Sequence, residues 1–143
     1  MAPLRCYSVG DISQLLYGLC VSPLDVQALR RANIDGVAIQ GLASYTMEMH
    51  LGLSNSAVHT VAMVQRASRL FDCIARFGTQ SRLSELDCRV WLTGKGLAAS
   101  AINRLADKFR VLSAAGDGMV SFAELAANYE WFDSALKCVG AHL

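Results

Sequence analysis

The chain is 143 residues long, which suits one domain or two small, tightly joined ones. Its 13 basic and 12 acidic side chains leave a net charge of +1 without a basic face, which argues against nucleic acid as a partner, because phosphate contacts carry most of that affinity. Hydrophobic residues make up 53% and charged ones only 17%, where soluble domains usually hold roughly 45–50% apolar residues, so part of the surplus is expected to face a partner.

Five cysteines, Cys6, Cys20, Cys73, Cys88 and Cys138, are odd in number and form no C-x-x-C pair. Buried free thiols in a reducing compartment are therefore expected. No run reaches the ~18 apolar residues of a membrane span, and MAPLRCYSVGD lacks the apolar stretch of a secretory signal. The expectation is an intracellular protein, in a cytoplasmic or cytoskeletal setting or in mitochondria.

Over residues 9–19, Val9, Ile12, Leu15, Leu16 and Leu19 recur at helical spacing and predict an amphipathic helix, which Ser22-Pro23 ends. Residues 25–32 predict a short helix with Val26 and Leu29 inward and Arg30 and Arg31 outward. Asp35 can cap a brief helix that carries Ile39 and Leu42. Ser44 can open another with Met47 and Leu51, closed by Gly52 as a helix C-terminal glycine. After Leu53, Ser54-Asn55-Ser56 offers cap-forming residues, and residues 58–74 continue for about five turns without Gly or Pro.

Several of these pieces carry a family resemblance: Val9-x-x-Ile12-x-x-Leu15-Leu16, then Asn33-Ile34-Asp35-Gly36 with Ile39 and Leu42 behind it, then Met47-Glu48-Met49-His50-Leu51-Gly52-Leu53, and the long helix with Val61 and Val64. Over residues 7–72 the chain resembles the sterile alpha motif (SAM) family, Leu51-Gly52-Leu53 standing for its Leu-Gly-Ile step. It departs from the family in lacking a tryptophan in the first helix and a glycine before the last. The resemblance implies a five-helix bundle that associates through two surfaces, one over residues 25–35 and one over residues 55–60. Asp25, Asp35, Asn55 and His59 are thereby candidate partner-binding residues. Arg30 and Arg31 share the first surface and the second has no lysine or arginine, so neither charge-steered polymerisation nor RNA binding is expected.

In the second half, residues 76–87, RFGTQSRLSELD, predict a loop with Leu83 as its central apolar residue, Ser84 as the next helix cap and Asp87 at its end. Its spacing reads one residue longer than a twelve-residue loop. Leu83, Leu86 and Val90 predict the buried stripe of the following helix, and Gly94-Lys95-Gly96-Leu97 a linker. Residues 101–112 place Ile102, Leu105, Phe109 and Leu112 on one face. The next loop has Gly116 and Gly118 for positive φ, apolar Val120, and the capping-box spacing of Ser121 and Glu124. A final helix is expected from residue 122 to about 136, with Leu125, Ala126, Tyr129, Phe132 and Leu136.

Helix–loop–helix, linker, helix–loop–helix over residues 68–137 resembles a degenerate pair of EF-hands. With Gly118 as the family's turn glycine, the ligand positions fall on Ser113, Ala115, Asp117, Ser121 and Glu124. The first loop offers Arg76, Gly78, Gln80 and Ser81 where charge is needed. The resemblance implies a helical lobe retained as a metal-free scaffold, with Ser113, Asp117, Ser121 and Glu124 as candidate ligands of one weak calcium site. The capping box alone accounts for Ser121 and Glu124.

Catalysis is not expected. His50, His59 and His142 stand apart from one another, and neither a nucleophile pattern, a zinc pattern nor a phosphate-cradling loop is present. In Tyr129-Glu130-Trp131-Phe132 the i and i+2 positions lie about 200° apart, so Tyr129, Trp131 and Phe132 cannot share one buried stripe. Tyr129 and Trp131, and Trp91 beside Val90, are candidates to cover another part of the fold or to anchor a partner, where tryptophan is over-represented.

The expected fold is all-α: a SAM-like five-helix bundle, residues 1–72, whose last long helix runs into an EF-hand-pair-like lobe, residues 73–143. The expected function is that of a non-enzymatic protein–protein interaction module, an adaptor or accessory subunit of a larger assembly. A calcium-responsive sensor and a SAM-mediated homo-oligomer are the alternatives.

Overall fold

Polar caps set the helix boundaries. Ser8 accepts from the Asp11 amide while the Asp11 carboxylate accepts from the Ser8 amide, a capping box that starts α1 (Val9–Gly18). Ser22 with Pro23 in the first turn starts α2 (Pro23–Arg31), and Asp35 accepts from the Ala38 amide at 2.9 Å to open α3 (Gly36–Gln40). A π-type turn, Thr46–His50, buries Met47, and Gly52 leaves it at a φ of +64°. Ser54 caps the 20-residue α4 (Asn55–Ile74). The expected four short helical segments and one long helix are all present, preceded by a 3-10 turn, Leu4–Cys6.

The computed structural model describes residues 3–77 and 80–140; Gly78 and His142 lie outside them. The second half contains β1 (Arg82–Ser84), α5 (Glu85–Gly94), α6 (Ala99–Leu112), β2 (Met119–Ser121), α7 (Phe122–Ala127) and α8 (Tyr129–Cys138), and the class is all-α with one two-stranded ladder. That ladder is antiparallel and joins the two loops, setting Arg82 opposite Ser121, Leu83 opposite Val120 and Ser84 opposite Met119. Each strand ends in a capping box, Ser84 with Asp87 and Ser121 with Glu124. Arg76, Leu83, Ser84 and Asp87 fall at the same offsets as Ser113, Val120, Ser121 and Glu124, so the two loops are equally long and the extra residue expected in the first is not there.

Two further expectations are corrected. Leu86 and Val90 are exposed, and α5 instead buries Asp87, Cys88 and Leu92. Leu83 belongs to β1, so a helical stripe counted from it begins in the wrong phase, whereas the capping box turns Asp87 back into its loop and rotates Cys88 and Leu92 inward. The last helix is interrupted at Asn128, whose φ of −118° leaves the helical range and whose side-chain amide donates to the Glu124 carbonyl at 2.9 Å.

A connected apolar core runs from Leu4 to Leu136. Its axis is α4, which packs on α3 in the first half and on α5, α7 and α8 in the second. Phe122 of α7 holds the halves together, its ring edge-to-face with Tyr7 at 5.8 Å and with Phe71 of α4 at 5.9 Å. Such pairs contribute about 0.5–1.5 kcal/mol beyond their burial.

Candidate functional site

The paired loops were the first candidate site. In the loop before α5, Asp87 is 1% exposed, and its carboxylate accepts from the Ser84 amide at 2.8 Å, from Arg76 Nε at 2.5 Å and from the Gln80 side-chain amide. Burial raises the Asp87 pKa, but these donors together outweigh it and hold the carboxyl below its ordinary value. The Arg76 guanidinium thus supplies the positive charge of this loop from within the chain.

The second loop is also internally satisfied. Ser113, 7% exposed, donates its hydroxyl to Asp117 at 2.8 Å, and Asp117 accepts from the Met119 amide at 3.0 Å. These bonds, the Met119 amide first, lower the Asp117 pKa, and Arg82 of β1 adds its charge from 3.6 Å. Glu124 accepts from the Ser121 amide at 2.8 Å and the Ala114 amide at 2.6 Å. Burial raises its pKa, but these amides bring it below the usual range. Ser113, Asp117, Ser121 and Glu124 all lie in this loop, with their oxygens engaged in its own hydrogen bonds. Gly116 and Gly118 take the positive φ values that the turn requires, +70° and +76°.

The other candidates divide by exposure. Asp25 is buried: it accepts from the hydroxyls of Ser22 and Ser54 and from the Ser54 amide, clamping the start of α2 to the cap of α4. Burial raises its pKa, but the serine hydrogen bonds prevail and lower it. It is a structural clamp and not a surface contact. Asp35 is half-buried as the cap of α3. Asn55 is exposed at the start of α4, and His59 Nε2 lies 2.9 Å from Glu130 of α8. Trp91 is half-buried with Lys95 Nζ 5.4 Å from its ring centre.

Tyr129 is buried, with its pKa raised by burial and then by Asp133. Phe132 joins it inside, and Trp131 is left 46% exposed, which answers the packing problem of that tripeptide. Trp131 lies in a groove of about 300 Å³ between α6 and α8, with Leu105, Ala135 and Val139 as apolar walls. Arg104 and Lys108 stand on its α6 side, the Lys108 ammonium 5.1 Å from the Trp131 ring centre. The sequence reading missed these two cations, although their spacing of four on either side of Leu105 was legible as one helix edge.

Burial pushes the Cys88 thiol up to about 12, which keeps it protonated and inert. Burial and then the Asp11 charge push Tyr7 up to about 12 as well. All five cysteines are free thiols, but the expected burial holds for Cys88 alone: Cys6, Cys20, Cys73 and Cys138 are exposed, because each falls outside the apolar stripe of its segment. Among the described residues no helix is long and apolar enough to cross a membrane. Comparison with known protein families, with curated proteins and with solved structures returns no match to this chain.

Proposed function

We propose that the chain is a non-enzymatic protein–protein interaction module, an adaptor or accessory subunit of a larger assembly. The observation that carries this reading is the groove beside Trp131, an apolar concavity rimmed by charge on an otherwise well-packed helical scaffold. Exposed tryptophan in a concave apolar setting is the usual chemistry of an interface anchor. The carboxylates of Asp25, Asp87 and Glu124 are engaged in caps and loop closure. The helix inventory and the ladder between two loops are in keeping with a SAM-like bundle joined to an EF-hand-like pair, both read as scaffolds here. Exposed free thiols suit a reducing, intracellular setting.

The test is affinity capture of the tagged chain from cell extract, followed by mass spectrometry and by sedimentation of the isolated protein. Reproducible co-purifying proteins support the reading. A monodisperse monomer that captures nothing removes its basis.

Homo-oligomerisation is the second reading, favoured by Leu24, Val37, Tyr45 and Met49, all well exposed in the first half. Concentration-dependent mass in sedimentation, reduced by Asn55→Glu, would favour it. Calcium sensing has less support, because the Asp117 and Glu124 carboxylates already accept loop hydrogen bonds and the Ser113 hydroxyl donates one; calorimetric binding tighter than ~10 μM would promote it.

A further inference from the structure

We propose that the groove between α6 and α8 receives an acidic amphipathic helix of a partner protein, with one large apolar side chain seated against Trp131. This rests on the interaction-module reading and adds the chemistry of the partner. The walls, Leu105, Trp131, Ala135 and Val139, are apolar, and about 300 Å³ is the lower end of the volume range in which ligand groups become well enclosed. The groove follows two helices, which suits an elongated occupant that presents anchors at i, i+3, i+4 and i+7.

Charge selects the sign of that occupant. Arg104 and Lys108 lie four residues apart on one edge, and neither has a carboxylate within ion-pair distance among the described residues. The carboxylates of α8 are engaged elsewhere, Glu130 with His59 and Asp133 with Lys137. An Asp or Glu on the partner would meet Lys108 over the Trp131 ring, whereas a basic residue there would meet like charge along the α6 edge.

The experiment displays a library of helical peptides, about four turns long, against the full chain. Isolated peptides are then measured by fluorescence anisotropy at low and high salt, each beside a counterpart with its acidic residues changed to lysine. The expected result is enrichment of apolar residues at helical spacing flanked by Asp and Glu. Affinity should fall about tenfold or more with Trp131→Ala and with Arg104→Glu/Lys108→Glu, and should weaken with salt. These positions are exposed, and circular dichroism confirms that each variant keeps its fold. Enrichment of neutral or basic peptides, unchanged affinity in both variants, or no enrichment overturns the proposal. So does Trp131-dependent self-association, which would make the occupant a second copy. If wild-type and both variants capture the same proteins from extract, this groove is not their site and the module reading stands; if the wild type captures nothing, that reading falls instead.

Discussion

Leu83 of β1 stands directly opposite Val120 of β2, and both side chains are fully buried. A ladder of three residue pairs holds little by hydrogen bonding alone, so burial of this central pair is what holds the two loops to each other. Leu83→Ala is expected to cost about 2–5 kcal/mol in urea unfolding and Val120→Ala about 2 kcal/mol. Because the residues touch, the double variant should differ from the sum of the two by about 0.5 kcal/mol or more. Additive losses would show that the loops are held independently.

The Arg76–Asp87 pair predicts a pH dependence with a definite sign. Asp87 has a lowered pKa in the folded state, so its contribution is present above the unfolded carboxylate value, about 4, and is lost as pH falls through the folded value. Asp25 and Glu124 are lowered too and act in the same direction. Arg76→Ala leaves Asp87 buried with fewer donors, and is expected to cost about 1–3 kcal/mol at pH 7, moderated because Arg76 is 43% exposed. The gap between wild type and variant should narrow as pH falls below the ordinary carboxylate value and Asp87 takes up a proton. A gap that stays constant in thermal melts from neutral into acid pH would mean that the pair does not titrate with folding.

What could be read from the sequence was local. Ser54, Ser84 and Ser121 cap helices, Asp35 opens α3, and Gly52, Gly116 and Gly118 take positive φ, because each outcome depends on a few adjacent residues. The loop pairing was partly legible, since Leu83 and Val120 were apolar residues inside polar loops. What escaped depended on contacts distant in the chain. Asp25 looked like a surface acid until Ser54, 29 positions away, engaged it. Arg76 looked only like a missing ligand, because nothing in its neighbourhood says that the side chain folds back onto Asp87. Helical phase misled at Leu86 and Val90 for a related reason: the strand and cap, not the apolar pattern, fix how α5 is rotated.

The Asp25 clamp gives a third expectation. Asp25→Ala removes the acceptor of the Ser54 amide at a site 8% exposed, and is expected to cost about 1–3 kcal/mol. Asp35→Ala removes only the cap of α3, at about 1 kcal/mol. If Asp25 served only as an outward contact, its replacement would leave stability within about 0.5 kcal/mol, and equilibrium denaturation separates the two cases.

Gly36 provides the sharpest steric test. Its amide donates to the Tyr7 carbonyl at 2.9 Å, and a Cβ at this position would lie 1.7 Å from the Leu4 carbonyl oxygen. The contact is with backbone, so no rotamer change relieves it. The 3-10 turn or α3 has to move, and the turn carries Tyr7, whose ring packs on Phe122 in the other half. Gly36→Ala is therefore expected to cost about 3 kcal/mol or more, with early loss of the packing between halves. Gly41→Ala is the control, because a Cβ there meets nothing within 4 Å and its φ is −99°; it should be neutral or stabilising by a few tenths of a kcal/mol, about as far as the loss of unfolded-state freedom carries it. Equal melting temperatures for the two variants would show that the close approach of Leu4 to Gly36 does not hold in solution.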